Sequence, residues 1–441
     1  MTRKTTARQR SYSALLSVLL TVLAALAWFI PSESGGELLF GRYGAAHLLA
    51  ATLLTVFAIV AISFAFIVRS RIGRFRLTAV VIASTGTWTV AKALAWLTDW
   101  TRPNPFYIPG DATTKHPDTR VWYVRPPNLY WKGKSPDDFV KSGPYEQEVV
   151  YRTDSDGFRN HREVSSADVV FVGDSFTEAG NVNDEQTFAA RTGRILDRST
   201  AKYAIAGYGP LEEVAALELL ALKKQPKQIV WQLFEGNDLA DVVSYVYWEQ
   251  LGGRKTTGGS ALNRWERGCD RWQRTSPFIQ LMKLAEGRQP KLQNVVEGTF
   301  RVAGNQTVPM HFEIIPNPHT DPAYHPMRLQ KTREALLHGQ SLCRQHTIDL
   351  LIVVLPIKLR VYQDSVQFPA GQKPLPALRE QSDFSQAMAA ICHEAGIEFL
   401  DPTRAFRQAA ARGEVFYFAY DMHLTPAGHL RLAELIAARI R

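Results

Sequence analysis

Small polar residues follow an apolar run near the middle of the chain, in a pattern that could support nucleophilic catalysis. Ser175 stands in the sequence Gly173-Asp174-Ser175, which directly follows the short β-type run at residues 168–172. A serine at a strand-to-helix turn presents its hydroxyl at the edge of a sheet, and it can act as a nucleophile if a base reaches it. Taken alone this tripeptide is weak evidence, because small polar residues are common in turns.

A base and a carboxylate that could orient it lie near the C-terminus. His423 comes shortly before Pro426, a residue that favours the first position of a helix. Asp421 lies two residues before the histidine and could accept a hydrogen bond from the imidazole, which would hold the tautomer that a general base needs. The pattern predicts Ser175 as nucleophile, His423 as base and Asp421 as the orienting carboxylate.

Donors for an oxyanion follow two further apolar runs. Gly207 comes after residues 202–206, and a glycine there allows a backbone N–H to approach a reacting oxygen closely. Gly209 is the alternative. Asn237 follows residues 228–234, and its side-chain amide is a second possible donor. Each could be an ordinary turn residue, but their occurrence together with a nucleophile and a base favours one catalytic set.

The chain after residue 165 alternates between short apolar runs and amphipathic stretches. Residues 349–355 form the most apolar predicted strand, and residues 211–224, 327–345 and 426–440 are typical of helices. This alternation predicts an α/β fold with a mainly parallel sheet, in which the active site lies beyond the carboxyl ends of the strands.

Two segments of this part of the chain do not follow the alternation. Residues 101–165 are predicted to be an irregular connector with some strand. Residues 239–325 are too long for a simple loop and are predicted to be an inserted lid or subdomain of the domain at 166–441.

The first hundred residues are predicted to be a membrane domain with three transmembrane helices, at about residues 11–30, 45–68 and 77–98. Basic residues precede the first stretch and separate the second from the third. The positive-inside rule then predicts a multi-pass protein of the cytoplasmic (inner) membrane, with the catalytic domain on its periplasmic or extracellular side. The first stretch could instead be a signal peptide, which would leave that orientation unchanged.

The charge and the cysteines restrict the other functional classes. The chain has 441 residues and a formal net charge of +9, but it contains no long basic run, so we expect no nucleic-acid partner. Cys269, Cys343 and Cys392 fit no zinc motif, and either one disulfide or unpaired thiols are compatible with their number.

The catalytic set resembles the conserved blocks of the SGNH (GDSL-like) hydrolase family over about residues 150–441. The residues that carry the resemblance are Gly173-Asp174-Ser175, Gly207, Gly236-Asn237-Asp238, Asp421 and His423. Two departures from the family pattern are visible. One residue separates Asp421 from His423 where two are frequent, and Lys202 replaces the asparagine that often opens the second block.

The resemblance implies a flavodoxin-like three-layer α/β/α domain that needs no metal or organic cofactor. It implies an oxyanion hole made by Ser175, Gly207 and Asn237. Residues 153–159 and the sequence Pro356-Ile357-Lys358 are similar to a bacterial envelope branch that includes polysaccharide O-acetyltransferases. Lys358 could contact an acidic substrate or be a structural lysine.

Further candidate substrate contacts are Asp174, Gly209 and Asp238. The expected activity is a membrane-anchored serine esterase that acts on O-acyl groups of a glycan or of a small acyl ester. An O-acyltransferase with the same triad and a membrane-bound acyl-donor partner is the first alternative. An inactive glycan-binding scaffold is the second.

Overall fold

The computed structural model describes residues 17–27, 29, 45–63, 113–134, 147–160, 163–250, 295–304, 306–313, 326–369 and 381–440, together with positions 70, 72, 79 and 83. The chain divides into two compact units. The first comprises Met1–Pro103 and Lys255–Gln289, and the second comprises Asn104–Arg254 and Pro290–Arg441. All of the predicted site residues belong to the second unit.

In the first unit, residues 17–27 are helical and helix α1 spans Ala45–Ile62. The prediction of transmembrane helices is wrong here, since no helix of the described residues is both long and apolar enough to cross a membrane. Helix α1 has 18 residues. The predicted location in the cytoplasmic membrane and the lipid bilayer as a partner both depended on these spans. Neither prediction is supported by the described residues. Nearly all of the third stretch, at 77–98, lies outside the described residues.

The second unit contains short strands and helices that alternate along much of the chain. Its strands are β1 (Thr114–Lys115), β2 (Tyr123–Val124), β3 (Tyr130–Lys134), β4 (Glu148–Arg152), β5 (Val169–Gly173), β6 (Thr200–Ala204), β7 (Gln228–Phe234), β8 (Val295–Arg301), β9 (Thr307–Glu313), β10 (Asp349–Leu355), β11 (Val366–Gln367) and β12 (Glu398–Leu400). Its helices are α2 (Ser175–Glu178), α3 (Phe188–Leu196), α4 (Pro210–Ala216), α5 (Asp238–Gln250), α6 (Pro326–Gln345), α7 (Lys358–Tyr362), α8 (Asp383–Ala395), α9 (Thr403–Ala411) and α10 (Pro426–Arg439).

Five parallel strands form the central sheet in the order β12-β10-β7-β5-β6. Counted along the chain within this sheet, the order is 2-1-3-4-5, which is the flavodoxin-like arrangement. The α/β fold with a mainly parallel sheet agrees with the prediction. The strand order reverses between β5 and β7, and folds of this kind bind ligands at the carboxyl ends of the strands beside such a point.

Helices cover both faces of the sheet because its central strands are apolar on both sides. Every residue of β5 and β7 is buried. On one face, side chains such as Val170 and Trp231 pack with residues of α4, α6 and α8. On the other face, Phe171 and Val230 pack with residues of α3, α9 and α10. Burial of one such side chain contributes about 1.5–3 kcal/mol, so these two clusters hold the strands in register.

Smaller antiparallel sheets occupy the predicted connector and the predicted insertion. In the connector, β1 pairs with β2 and β3 pairs with β4. In the insertion, β8 pairs with β9. Strand β8 also pairs with β11, which lies outside the insertion and further along the chain. Residues 251–294 and 314–325 lie outside the described part, so the role of the insertion as a lid stays a prediction. Cys343 and Cys392 are buried free thiols, and Cys269 is not among the described residues.

Candidate active site

Ser175 is the first residue of α2 and follows β5 directly. The Asp174 carboxylate accepts a hydrogen bond from the Phe176 N–H at 2.9 Å, and this bond caps the short helix. The turn is tight, since a Cβ atom on Gly173 would lie 2.5 Å from the Thr177 hydroxyl oxygen. Asp174 is fully buried, and burial raises its pKa to about 6. Its place in the fold is that of a helix cap.

Ser175, His423 and Asp421 form one line of hydrogen bonds. The Ser175 Oγ lies 2.8 Å from His423 Nε2, and His423 Nδ1 lies 2.6 Å from Asp421 Oδ1. The same carboxylate oxygen accepts the backbone N–H of His423 at 2.7 Å. The structure therefore brings together the three residues that were predicted as nucleophile, base and orienting carboxylate.

The charge state of Asp421 favours one tautomer of the histidine. Burial of this carboxyl opposes its ionisation, but the adjacent His423 and its hydrogen bonds overcome this effect and hold the pKa of Asp421 below its usual value. An ionised Asp421 accepts the proton on Nδ1, which leaves Nε2 free to accept the serine proton. The imidazole is one-fifth exposed, so it is accessible to a small molecule from solvent.

The loop that carries Asp421 and His423 is closed by backbone contacts. Tyr417 and Leu424 form an antiparallel bridge at its base, and the Phe418 N–H donates to the His423 carbonyl at 3.0 Å. Strand β9 contacts the same loop, because the His311 N–H donates to the Ala419 carbonyl at 2.8 Å. The predicted insertion thus helps to support the loop that carries Asp421 and His423.

Lys358, the first residue of α7, also supports this loop. Its ammonium group donates to the carbonyls of Phe418 at 2.5 Å, Ala419 at 2.6 Å and Asp421 at 3.4 Å. The lysine is 5% exposed. This placement corresponds to the structural alternative, since the charged end of the side chain is turned to backbone carbonyls of the loop that carries Asp421 and His423.

Gly207 and Asn237 lie beyond the carboxyl ends of β6 and β7, on either side of the strand that leads to Ser175. Gly207 is exposed and has a φ of +85°, a conformation that favours glycine. The half-buried Asn237 donates one amide hydrogen to the Asp241 carboxyl at 2.6 Å. This bond holds the amide group and leaves its second hydrogen for another acceptor.

Gly209 and Asp238 have contacts within the fold. The Gly209 N–H donates to the Glu212 carboxyl at 3.2 Å, and a Cβ on this glycine would lie 2.8 Å from the Cβ of Asp241. Gly207 is therefore the better placed of the two glycines to donate to a bound oxyanion. The buried Asp238 accepts the Phe234 N–H at 2.9 Å.

A group of buried carboxyls surrounds the base of the site. Burial raises the pKa of Glu212, Glu213 and Asp238 well above their usual values, and it raises that of Asp241 to about 8. Neighbouring carboxyls add to each shift. Within the described residues, no group of three or more His, Cys, Asp or Glu side chains could hold a metal ion.

The sequence reasoning missed several residues that hold α2 in place. Glu178, the last residue of α2, accepts two hydrogen bonds from the Arg125 guanidinium at 2.8 and 3.1 Å and one from the Tyr151 hydroxyl. Its carboxylate also accepts the Ala206 N–H at 2.6 Å. Arg159 donates to the Glu178 carbonyl at 3.0 Å. The resemblance of residues 153–159 to the envelope branch was a signal for Arg159, whereas nothing in the sequence singled out Arg125.

Comparison with known proteins identifies the C-terminal part of the chain. Residues 319–441 match the model of the family described as ALGX, the SGNH hydrolase-like domain of the acetyltransferase AlgX. This match includes Lys358, Asp421 and His423. No curated protein matches the chain significantly.

The solved structures with similar folds include several esterases. The acetyl xylan esterase AlAXEase is 11% identical, with a TM-score of 0.34, over 62% of this chain and 99% of its own. A catalytic mutant of Axe2, an acetylxylan esterase from Geobacillus stearothermophilus, is 12% identical, with a TM-score of 0.34, over 63% of this chain and 95% of its own. TesA is 13% identical, with a TM-score of 0.31, over 62% of this chain and 97% of its own. Similarity of this size establishes neither a substrate nor a mechanism.

The family match covers the segment that carries the predicted base and the predicted orienting carboxylate. Strands β5, β6 and β7 of the parallel sheet precede this segment, and β10 and β12 lie within it. Residues 319–441 therefore match an SGNH hydrolase-like domain of the kind described for the acetyltransferase AlgX, and this match supports an enzyme of the esterase or acyltransferase class.

Proposed function

We propose that the protein cleaves O-acyl esters through a serine acyl-enzyme, with Ser175 as nucleophile, His423 as general base and Asp421 as the carboxylate that orients it. One observation carries this proposal. The hydroxyl, the imidazole and the carboxylate are joined in line by contacts of 2.8 and 2.6 Å, which is the arrangement that activates a serine.

The reaction has two steps that share the same groups. In the first, the Ser175 Oγ attacks the ester carbonyl while its proton passes to His423 Nε2. The C–O bond of the ester then breaks, and the imidazolium returns the proton to the departing alcohol. In the second, His423 takes a proton from a water molecule, whose oxygen attacks the acyl-enzyme. The serine recovers a proton from the imidazolium as the carboxylic acid leaves.

An oxyanion hole for both steps would be formed by the backbone N–H groups of Ser175 and Gly207 and by the Asn237 amide. These groups follow β5, β6 and β7, three neighbouring strands of the parallel sheet. Removal of one such donor costs on the order of 3 kcal/mol in the transition state. The hydrogen bond from Asn237 to Asp241 would keep the amide in place before the substrate arrives.

We take the substrate to be an O-acylated sugar or another small acyl ester. A second candidate is O-acyl transfer, in which a sugar hydroxyl replaces water in the second step. The family match at 319–441 favours this candidate, because the description of that family names an acetyltransferase. Both reactions use the same triad, so the nature of the acceptor separates them.

Turnover of a chromogenic ester by the full-length protein tests the proposal. We expect nitrophenyl acetate to be hydrolysed by the parent and not by Ser175→Ala, with the same melting temperature for both. Glycan acceptors added to the assay would distinguish transfer from hydrolysis, because only transfer forms an acetylated oligosaccharide. A folded parent that binds glycan but turns over no ester would contradict the proposal and favour a binding scaffold.

A further inference from the structure

The turn at Ala206 and Gly207 is held by hydrogen bonds to two other parts of the chain. The Tyr123 hydroxyl donates to the Ala206 carbonyl at 2.9 Å. The Ala206 N–H, one peptide earlier, donates to the Glu178 carboxylate at 2.6 Å. Tyr123 belongs to the predicted connector, while Glu178 ends the helix that begins with Ser175. Two parts of the chain outside the turn thus determine its conformation.

The turn itself has two possible orientations of this peptide. The Tyr208 N–H donates to the Ile205 carbonyl at 3.0 Å, which closes a four-residue turn with Ala206 and Gly207 at its centre. The φ of +85° at Gly207 identifies it as a type II turn. A type I turn differs from it by a rotation of the central peptide through about 180°. Glycine adopts positive and negative φ with similar ease, so the sequence of the turn does not exclude the rotation.

The orientation of this peptide decides where the proposed oxyanion donor points. A peptide is planar and trans, so the carbonyl of Ala206 and the N–H of Gly207 point in opposite directions. A hydrogen bond to the carbonyl therefore fixes the direction of the N–H. We propose that Tyr123 is a positioning residue, whose hydroxyl holds the turn in its type II form and so directs the Gly207 N–H toward the acyl oxygen. This inference rests on the proposed function of the site.

The surroundings of Tyr123 suit this role. Its ring packs edge-on against Tyr208, with the ring centres 5.4 Å apart. The Tyr208 hydroxyl donates in turn to the Val121 carbonyl at 3.0 Å, which ties the two segments together. Burial raises the pKa of Tyr123, so the hydroxyl keeps the proton that it donates. A hydrogen bond accepted by a carbonyl also polarises the N–H of the same peptide, which strengthens it as a donor.

Gly207 leaves little space between the turn and the tyrosine. A Cβ atom at this position would lie 2.9 Å from the Tyr123 hydroxyl oxygen. A larger residue would displace the hydroxyl from the Ala206 carbonyl as well as strain the backbone. Substitutions at Gly207 and at Tyr123 should therefore disturb the same interaction, and their effects should not be additive.

The test compares two hydroxyl deletions in the full-length chain. Tyr123→Phe removes the proposed hydrogen bond. Tyr203→Phe serves as the control. It removes a buried hydroxyl in β6 that has no hydrogen-bond partner among the described residues. We expect kcat for nitrophenyl acetate to fall on the order of 10-fold in Tyr123→Phe, with KM unchanged, and to be unaltered in Tyr203→Phe.

Binding of an aryl boronic acid gives a second readout. The boronate forms a tetrahedral adduct with a serine and places an oxygen where the oxyanion would be. Its affinity should fall in Tyr123→Phe by the same factor as kcat. A merely structural role would lower the melting temperature and leave both kcat and boronate affinity unchanged in the folded protein, which would overturn the inference.

Two further results separate this inference from the proposed function. In the first, the parent is active, Ser175→Ala is inactive, and Tyr123→Phe has the kcat and the boronate affinity of the parent. The proposed function then stands, and the role of Tyr123 is refuted. An inactive parent that also fails to bind the boronate would refute both. If Tyr123→Phe does not fold, Gly207→Ala should show the same loss of kcat, and unchanged kcat in that variant would overturn the inference.

Discussion

Replacement of Lys358 by methionine separates support of the catalytic loop from contact with an acidic substrate. Methionine has nearly the same length as lysine and keeps most of the buried volume, but it cannot donate hydrogen bonds. In the variant, the carbonyls of Phe418 and Ala419 lose a charged donor at 2.5 and 2.6 Å. The lysine is 5% exposed, so little water can take its place.

The expected magnitude follows from these contacts. Hydrogen bonds to a charged group contribute about 1.5–3 kcal/mol each. Part of that gain is offset in the parent by the cost of burying an ammonium group. We therefore expect Lys358→Met to lower the free energy of unfolding by ~3 kcal/mol. In a unit of this size each kcal/mol corresponds to about 2–4 °C, so the melting temperature should fall by ~6–12 °C.

The effect on activity should appear in kcat. The Lys358 ammonium also favours the ionised form of Asp421, whose carbonyl lies 3.4 Å from Nζ. A looser loop and a less ionised Asp421 both weaken the base, so we expect kcat for nitrophenyl acetate to fall by about 10-fold. KM should change little, because nothing that binds the ester has been removed.

Thermal unfolding and steady-state kinetics on neutral and acidic acyl esters measure both effects. Lys227→Met is the control, because this lysine is 83% exposed and its ion pair with Asp168 lies at the surface. We expect it to change stability by less than about 1 kcal/mol. The reasoning would be refuted if Lys358→Met kept the stability of the parent and raised KM only for acidic esters, as a substrate contact would.

Two further predictions concern buried ionisable groups. Arg125→Met leaves the Glu178 carboxylate, 3% exposed, without its guanidinium, and should cost about 3–5 kcal/mol in urea unfolding. The addition of Glu178→Gln should recover part of this loss, and strictly additive losses would argue against the pair. Asp241 has a folded pKa of about 8 against a usual value of 3.8, so its contribution to stability is complete below pH 4 and is lost as the pH rises to about 8. Asp241→Asn should therefore flatten this decline, and an unchanged pH profile of unfolding would contradict it.

The central sheet was predictable because its strands are short, apolar and separated by amphipathic stretches. Strands β7 and β10 have the bounds that the sequence predicted, residues 228–234 and 349–355. The predicted strand boundaries were less accurate where a polar residue lies inside the strand. Lys202 falls in the middle of β6, where its ammonium is paired with Asp184 at 2.5 Å, and the strand begins and ends two residues before the predicted run.

The proximity of the candidate site residues was predictable for a topological reason. Parallel strands bring their carboxyl ends to one edge, so polar residues that follow successive strands must be neighbours. Ser175, Gly207 and Asn237 each follow a strand of the parallel sheet. The loop before α10 adds Asp421 and His423, which are separated by a single residue and form a 2.6 Å contact. The catalytic roles of these residues remain predictions.

The supporting residues could not be found in this way, because their partners are distant in sequence. Arg125 and Glu178 are 53 residues apart, and Lys358 reaches carbonyls about 60 residues further along the chain. Neither periodicity nor local composition reports such pairs. A lysine after a strand can equally face a substrate or a backbone carbonyl, and only the folded structure distinguishes these two positions.

The membrane prediction was wrong for a different reason. It relied on the length of apolar stretches in the sequence, but the described part of the second stretch forms a helix of 18 residues, Ala45–Ile62. Within the described residues no helix is both long and apolar enough to cross a membrane, so apolar composition alone was a poorer guide than the alternation that predicted the parallel sheet.

The central claim is that Ser175 forms a covalent acyl-enzyme with the help of His423. Intact-mass analysis and peptide mapping after exposure of the full-length protein to a fluorophosphonate test it most directly. We predict one adduct, located on Ser175, at a rate that falls at least 100-fold in His423→Ala, and none in Ser175→Ala. Labelling of another residue, or equal labelling of the parent and His423→Ala, would contradict the account.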